Sequence, residues 1–304
     1  DRRILATGEP LETVEEHQPP GREKMYVNVV KTPIFDSTGK IIGLQGIFWD
    51  ITEQRLAEER IRKASEELAR SREELRKKNV QMEDDLKMAS EIQLTLLPQQ
   101  YPVFPATATL ETSALRFTHR YAPTGEVGGD FFSVSALSDT EAAVLLCDVA
   151  GHGVRSALVT AMIRALVEEL KPLASEPGTF LTKLNSELCA ILKHTGTPVL
   201  TTAFYLVVDA VTGRMQYANA GHPKPLHVRR TAGQVTPLQS AHPKAQPALG
   251  LFEKAAYQTA EITLVPLDLV MLYTDGLYEV HAPNQALYSL EMLETAVRNS
   301  LNRG

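Results

Sequence analysis

Cysteine is scarce in this chain of 304 residues: only Cys147 and Cys189 occur. One lies in an apolar run and the other in a helix-period stretch. Both read as reduced core thiols, which leaves no disulfide framework. Tryptophan occurs once, as Trp49, and reads as core. Basic patches interleaved with aromatics are missing and the formal net charge is −6, so nucleic acid is not an expected partner. Neither a signal-peptide pattern nor an apolar run of membrane length is found. The expectation is a soluble, cytoplasmic chain without membrane contact. Glycine and proline are absent from residues 53–97, which excludes a flexible linker there.

What is present falls into three stretches: residues 1–52, 53–97 and 98–304. In the first, Lys24–Thr32 reads as a strand ended by Pro33. Asp36, Ser37 and Gly39 supply turn chemistry, and Ile41–Ile51 reads as a second strand. The second stretch is dense in Glu, Lys, Arg and Ala, all helix formers. Ile61, Leu68, Leu75, Met82, Ala89 and Leu96 repeat every seven residues. Their companion row, Ala64, Ser71, Lys78, Asp85 and Ile92, is mostly polar. This pattern predicts a loose parallel coiled coil, and so a homodimer through residues 53–97. Pro98 closes the helix. A single solvated helix is the alternative.

The third stretch carries the chemistry. Asp148 follows the apolar run Val144–Cys147 and precedes Gly151-His152-Gly153 and a helix-period run that includes Leu158, Met162 and Leu166. It therefore stands at the mouth of a strand-loop-helix unit. Asp130 lies beside Gly128 and Gly129, and Asp275 closes a run from Leu269 to Tyr273. One Asp-Gly is an ordinary turn. Three strand-end aspartates suggest a carboxylate site for Mg²⁺ or Mn²⁺, which in turn can hold phosphate. A dinucleotide reading of Gly151-His152-Gly153 fails locally. Ser156 replaces the third glycine, and Asp148 would set a negative charge against a pyrophosphate.

Around these residues we expect strands at Glu111–Tyr121, Thr201–Asp209, Arg214–Asn219, Leu226–Arg230, Gln234–Leu238, Tyr257–Leu264 and Leu269–Tyr273. Helices are expected at Pro177–His194 and Leu290–Leu301. His222, followed by Pro223, reads as a structural corner more than as a ligand. Grouped helices with many antiparallel strands argue for an α+β layered domain.

Four phrases carry a resemblance: VGGDFFSV, DVAGHGVRSAL, YANAGHPKPL and YTDGLYEV. In this order they resemble the motifs of the SpoIIE/RsbU-type bacterial phosphatases, metal-dependent serine/threonine phosphatases related to protein phosphatase 2C. MASEIQLTLLPQQYP resembles the helix that leads into that domain. The resemblance implies an αββα sandwich and hydrolysis of phosphoserine or phosphothreonine by water activated on two Mn²⁺ or Mg²⁺ ions. It assigns Asp148 to both metals, Asp130 and the Val149 carbonyl to one, and Asp275 to the other. A phosphorylated STAS-domain regulator is the implied partner. The family usually closes with an Asp-Asp motif before a last strand. None follows Gly276, so the expectation is a domain truncated at its C-terminus with one metal site in doubt.

KTPIFDSTGKIIGLQGIFWDIT resembles the C-terminal half of a PAS sensor domain, with Asp50-Ile51-Thr52 joining its sheet to a signalling helix. On that reading, a change in the sensor would shift the coil and the Met88–Leu97 helix against the catalytic domain. Two rivals remain: a dimeric scaffold without catalysis, and a phosphoester hydrolase acting on a small molecule.

Overall fold

The computed structural model describes residues 1–18, 20–21, 23–193, 199–242, 244–279 and 288–301. The chain divides into two compact units, Asp1–Met82 and Glu83–Gly304, with the boundary inside a helix.

The first unit begins with helix α1 (Arg2–Thr7) and three strands: β1 (Leu11–His17), β2 (Met25–Phe35) and β3 (Ile41–Asp50). They form one antiparallel sheet in the order β1-β2-β3. Pro33 does not end β2, contrary to the expectation from sequence. Leu11 pairs with Lys31, so beyond Lys31 β2 has β3 as its only strand neighbour among the described residues. A missing N–H there breaks no ladder bond, which is how strands tolerate proline. Trp49 is not core either. It is 45% exposed, and Ile47 and Phe48 beside it are also exposed.

Asp50 caps the next helix. Its carboxylate accepts from the Thr52 amide at 2.8 Å, while the Thr52 hydroxyl accepts from the Tyr26 amide. Hydrogen bonding from Thr52 holds the Asp50 carboxyl below the ordinary carboxylate range. This is a side-chain cap that also ties the helix to β2.

Helix α2 (Thr52–Leu96) runs 45 residues. Ion pairs such as Arg62 to Glu66 and Lys63 to Glu59 lie one turn apart along it. Ile61, Leu68, Leu75 and Met82 are all exposed, at 58–71%. Among the described residues, no helix is long and apolar enough to cross a membrane.

The second unit contains β4 (Asp130–Ala136), β5 (Glu141–Val149), α3 (Val154–Glu169), α4 (Pro177–Leu192), β6 (Thr201–Asp209), β7 (Arg214–Ala220), β8 (Leu226–Arg229), β9 (Gln234–Pro237), β10 (Ala260–Thr263), β11 (Leu269–Met271) and α5 (Leu290–Leu301). The expected strand over Glu111–Tyr121 is not formed; its residues run irregularly. Leu115 and Phe117 still pack on the core. The expected strand Tyr257–Leu264 shortens to β10. The helix predicted through His194 is described to Lys193, and His194 lies outside the described residues.

One sheet has the order β10-β7-β6-β5-β4 and a second β11-β8-β9. Alternation across β5 and β6 explains their continuous apolar character, because both faces are covered. Ala143, Leu145, Cys147, Ala203, Tyr205 and Val207 join α3 and α4 in one core. Ala142, Phe204, Leu206 and Val208 face the other way, into a core shared with Val270 and Leu238. Beyond the second sheet, Leu226, Val228 and Val235 meet Leu293 and Val297 of α5. The layers are therefore helix, sheet, sheet, helix: an α+β sandwich.

Candidate metal centre

Two of the three aspartates meet through strand register. Asp130 opens β4 and Asp148 lies near the end of β5, and they are direct antiparallel partners. Directly opposed residues project from the same face, so the two carboxylates share one side of the sheet. That side is the one that Ala142 and Val144 turn toward the second sheet.

The third aspartate arrives from the second sheet. After β11 the chain passes Tyr273 and Thr274 and turns through a short 3₁₀ segment, Asp275–Leu277. Thr274 Oγ1 donates to Asp130 Oδ2 at 2.9 Å. Asp275, itself exposed, thus sits next to a residue bonded to Asp130.

Burial and mutual repulsion raise both carboxyls of the strand pair. Partial burial, and then the charges of Asp130, Asp275 and Glu279, push the Asp148 carboxyl up to about 7. Asp130 is raised by burial and by Asp275, against the lowering effect of the Thr274 hydrogen bond. Every neighbour that perturbs Asp148 is another carboxylate. Such a group is stabilised by a cation, and oxygen donors of this kind suit Mg²⁺ or Mn²⁺. Among the described residues, no three His, Cys, Asp or Glu side chains gather tightly enough to hold an ion unaided. Small divalent cations keep several waters and need only one or two carboxylates directly, so this spread-out set still fits them.

Val149 contributes backbone. Its amide donates to Gly129 O at 3.1 Å. A Cβ added at Gly129 would lie 2.4 Å from Val149 O and 3.2 Å from Gly151 O. Only glycine allows these carbonyls to crowd the residue before Asp130. Gly151 and Gly153 have φ of 95° and 86°, which lets the loop turn sharply into α3. The sequence reading gave no role to Glu279, although it stands one helical turn after Asp275 and its amide donates to Asp275 O.

His222 is a buried corner. Its amide donates to Asn219 Oδ1 at 2.7 Å, and its Nδ1 lies 2.7 Å from Thr202 Oγ1. Burial pushes its imidazole down to about 4, so it stays neutral near pH 7. Thr202 is the β6 partner of Asp148, which puts this corner next to the carboxylates without adding to their charge. Cys147 is fully buried on the helix-facing side, and burial pushes its thiol up. A thiol held protonated in a core is no nucleophile.

Comparison with known proteins bears on the family and the fold. A family profile described as "Stage II sporulation protein E (SpoIIE)" matches residues 138–303, and one described as "PAS fold" matches residues 1–56. "Phosphoserine phosphatase RsbP" of Bacillus subtilis (strain 168) is 26% identical over 175 residues, covering 57% of this chain and 41% of that protein. "Phosphoserine phosphatase RsbU" of the same organism is 22% identical over 205 residues, covering 67% and 56%. The chain thus spans less than two thirds of the length of these relatives. Among solved structures, the "SiaA-PP2C domain of Pseudomonas aeruginosa" aligns with a TM-score of 0.58 at 24% identity, over 73% of this chain and 83% of that one. That likeness shows the fold.

A raised carboxyl has a testable consequence for stability. Below the ordinary carboxylate range Asp148 is protonated whether the chain is folded or not. From the ordinary carboxylate range up to about 7, the unfolded chain has shed this proton while the folded chain keeps it, so stability falls across that window and levels off above it. In EDTA at pH 8, Asp148→Asn should therefore melt about 3–6 °C above wild type, the shift that ~1.5 kcal/mol brings in a domain of this size. The gap should close toward pH 4. Mn²⁺ should raise the melting temperature of wild type and leave the variant unmoved. Differential scanning calorimetry reads all three, and a variant that melts lower than wild type in EDTA at pH 8 would contradict the carboxylate cluster.

Proposed function

The chain belongs to the stage II sporulation protein E (SpoIIE) family, and from that premise we propose that its Glu83–Gly304 unit is a metal-dependent protein phosphatase. It would hydrolyse phosphoserine or phosphothreonine on a regulatory protein. The observation that carries this reading is the cross-strand pair Asp130 and Asp148, linked through Thr274 to the turn that bears Asp275. Two relatives named phosphoserine phosphatases support it.

In this proposal Asp130, Asp148, Asp275 and the Val149 carbonyl would hold Mg²⁺ or Mn²⁺, with Asp148 as the central ligand. The chemistry such ions supply when bound is activation of water and neutralisation of phosphate charge. The chain's own part is to hold the donors. Strand pairing fixes Asp148 against Asp130, and the Thr274 hydroxyl fixes the Asp130 carboxylate. No side chain of the chain is needed as nucleophile. The substrate we propose is a phosphorylated STAS-domain protein, with control from the N-terminal PAS fold through α2.

Hydrolysis of that phosphoprotein and of an aryl phosphate, with and without Mn²⁺, tests the reading. Wild type should require Mn²⁺ and prefer the phosphoprotein. Asp148→Asn should lose at least ~100-fold, about 2.7 kcal/mol of transition-state stabilisation. Preference for the aryl phosphate would point to a small-molecule esterase. Binding of the phosphoprotein with no turnover would favour the scaffold.

Assembly belongs to the same proposal. The exposed seven-residue row of α2 is an apolar seam with no partner among the described residues, and a second copy of the chain would cover it. Leu68→Glu with Leu75→Glu should convert a dimer to a monomer in analytical ultracentrifugation and alter the phosphatase rate. A wild type that sediments as a monomer would dismiss the coil. A monomeric variant with an unchanged rate would disconnect the coil from the reaction.

A further inference from the structure

Of the 45 residues of α2, one is buried, and it is polar: Gln93. It is 6% exposed. Its amide grips a single residue's backbone from both sides. Gln93 Nε2 donates to Gly128 O at 2.8 Å, and Gly128 N donates to Gln93 Oε1 at 3.0 Å. The same Nε2 lies 3.2 Å from Thr160 Oγ1 on α3, whose hydroxyl in turn donates to Ala157 O.

Gly128 lies two residues before Asp130, outside β4. Among the described residues no strand partner satisfies its N–H and C=O, and Gln93 supplies both bonds. The segment has little freedom otherwise. A Cβ at Gly128 would meet Tyr121 Oη at 2.8 Å and Pro123 Cβ at 3.1 Å, and one at Gly129 would strike Val149 O. The backbone leading into Asp130 is therefore held on one side by the neighbouring loop and β5, and on the other by an amide carried on α2.

We propose that Gln93 is a positioning residue for the carboxylate site: by fixing the Gly128–Asp130 backbone it sets the affinity of the site for its divalent cation. The proposal rests on the assignment of Asp130 as a ligand. An apolar side chain would fill the same space and satisfy the burial of the helix equally well. It could not hold the backbone of Gly128, the residue before the one that accepts from the Val149 amide. Groups that orient a metal ligand without touching the metal change affinity 10–100-fold when removed. Two directional hydrogen bonds at 2.8 and 3.0 Å are also lost on small displacements of the helix, so this residue couples the position of α2 to the backbone leading into Asp130.

The test is Mn²⁺ binding by isothermal titration calorimetry on the full chain, comparing wild type with Gln93→Met, which keeps length and loses both bonds. Amide hydrogen exchange at Gly128 and melting in EDTA are recorded alongside. The expected result is Mn²⁺ affinity weakened at least tenfold, faster exchange at Gly128, and a folded variant. If Gln93→Met does not fold, Gln93→Asn, whose amide is too short to span the gap, is read in its place. Equal Mn²⁺ affinity in wild type and variant overturns the proposal, as does an unchanged Gly128 exchange rate. No substrate enters this readout, so the phosphatase reading stands or falls separately on turnover.

Discussion

Repulsion between carboxylates is the constraint that the second unit is built to withstand. Strand register places Asp130 directly across from Asp148, and a hydroxyl from the second sheet ties Asp130 to the turn that carries Asp275. Left alone, partly buried negative charges this close would disperse into water or take up protons. They stay because β5 is buried on both faces, with Leu145 and Cys147 on one side and Ala142 on the other. A rigid sheet core thus holds an unfavourable charge arrangement in place, and the arrangement is favourable only toward a cation.

The same constraint explains which glycines are needed. Gly129 must lack a side chain because Val149 and Gly151 direct their carbonyls at it. Gly151 and Gly153 turn the chain away from Asp148 into α3, which packs back on the sheet. His222 fills the neighbouring corner as a neutral ring, which leaves the field to the carboxylates. Gln93 of α2 completes the support by holding Gly128.

Much of this was legible in the sequence because local patterns dominate where burial is one-dimensional. The apolar runs of β5 and β6 announced strands covered on both sides. The strands expected at Thr201–Asp209 and Arg214–Asn219 are formed, and between them Asp209 accepts from the Val211 and Thr212 amides. The aspartates stood out by sitting at run ends beside glycine. Other features were invisible for stated reasons. Glu111–Tyr121 has alternating apolar residues but pairs with no strand among the described residues, so it packs without a ladder. Pro33 looked like a terminator because sequence does not show that β1 stops short of it. Trp49 looked like core on hydrophobicity alone. Gln93 carried no local signal, because its partners lie 35 and 67 positions away.

The central claim is that Asp130, Asp148 and Asp275 form one cation site at the end of the sandwich. Anomalous diffraction at the manganese edge, from crystals of the full chain grown with Mn²⁺, addresses it most directly. The account predicts anomalous peaks within coordination distance of Asp148, with Asp130 and the Val149 carbonyl on one side and Asp275 on the other. Peaks elsewhere on the chain, or none with Mn²⁺ in excess, would contradict it.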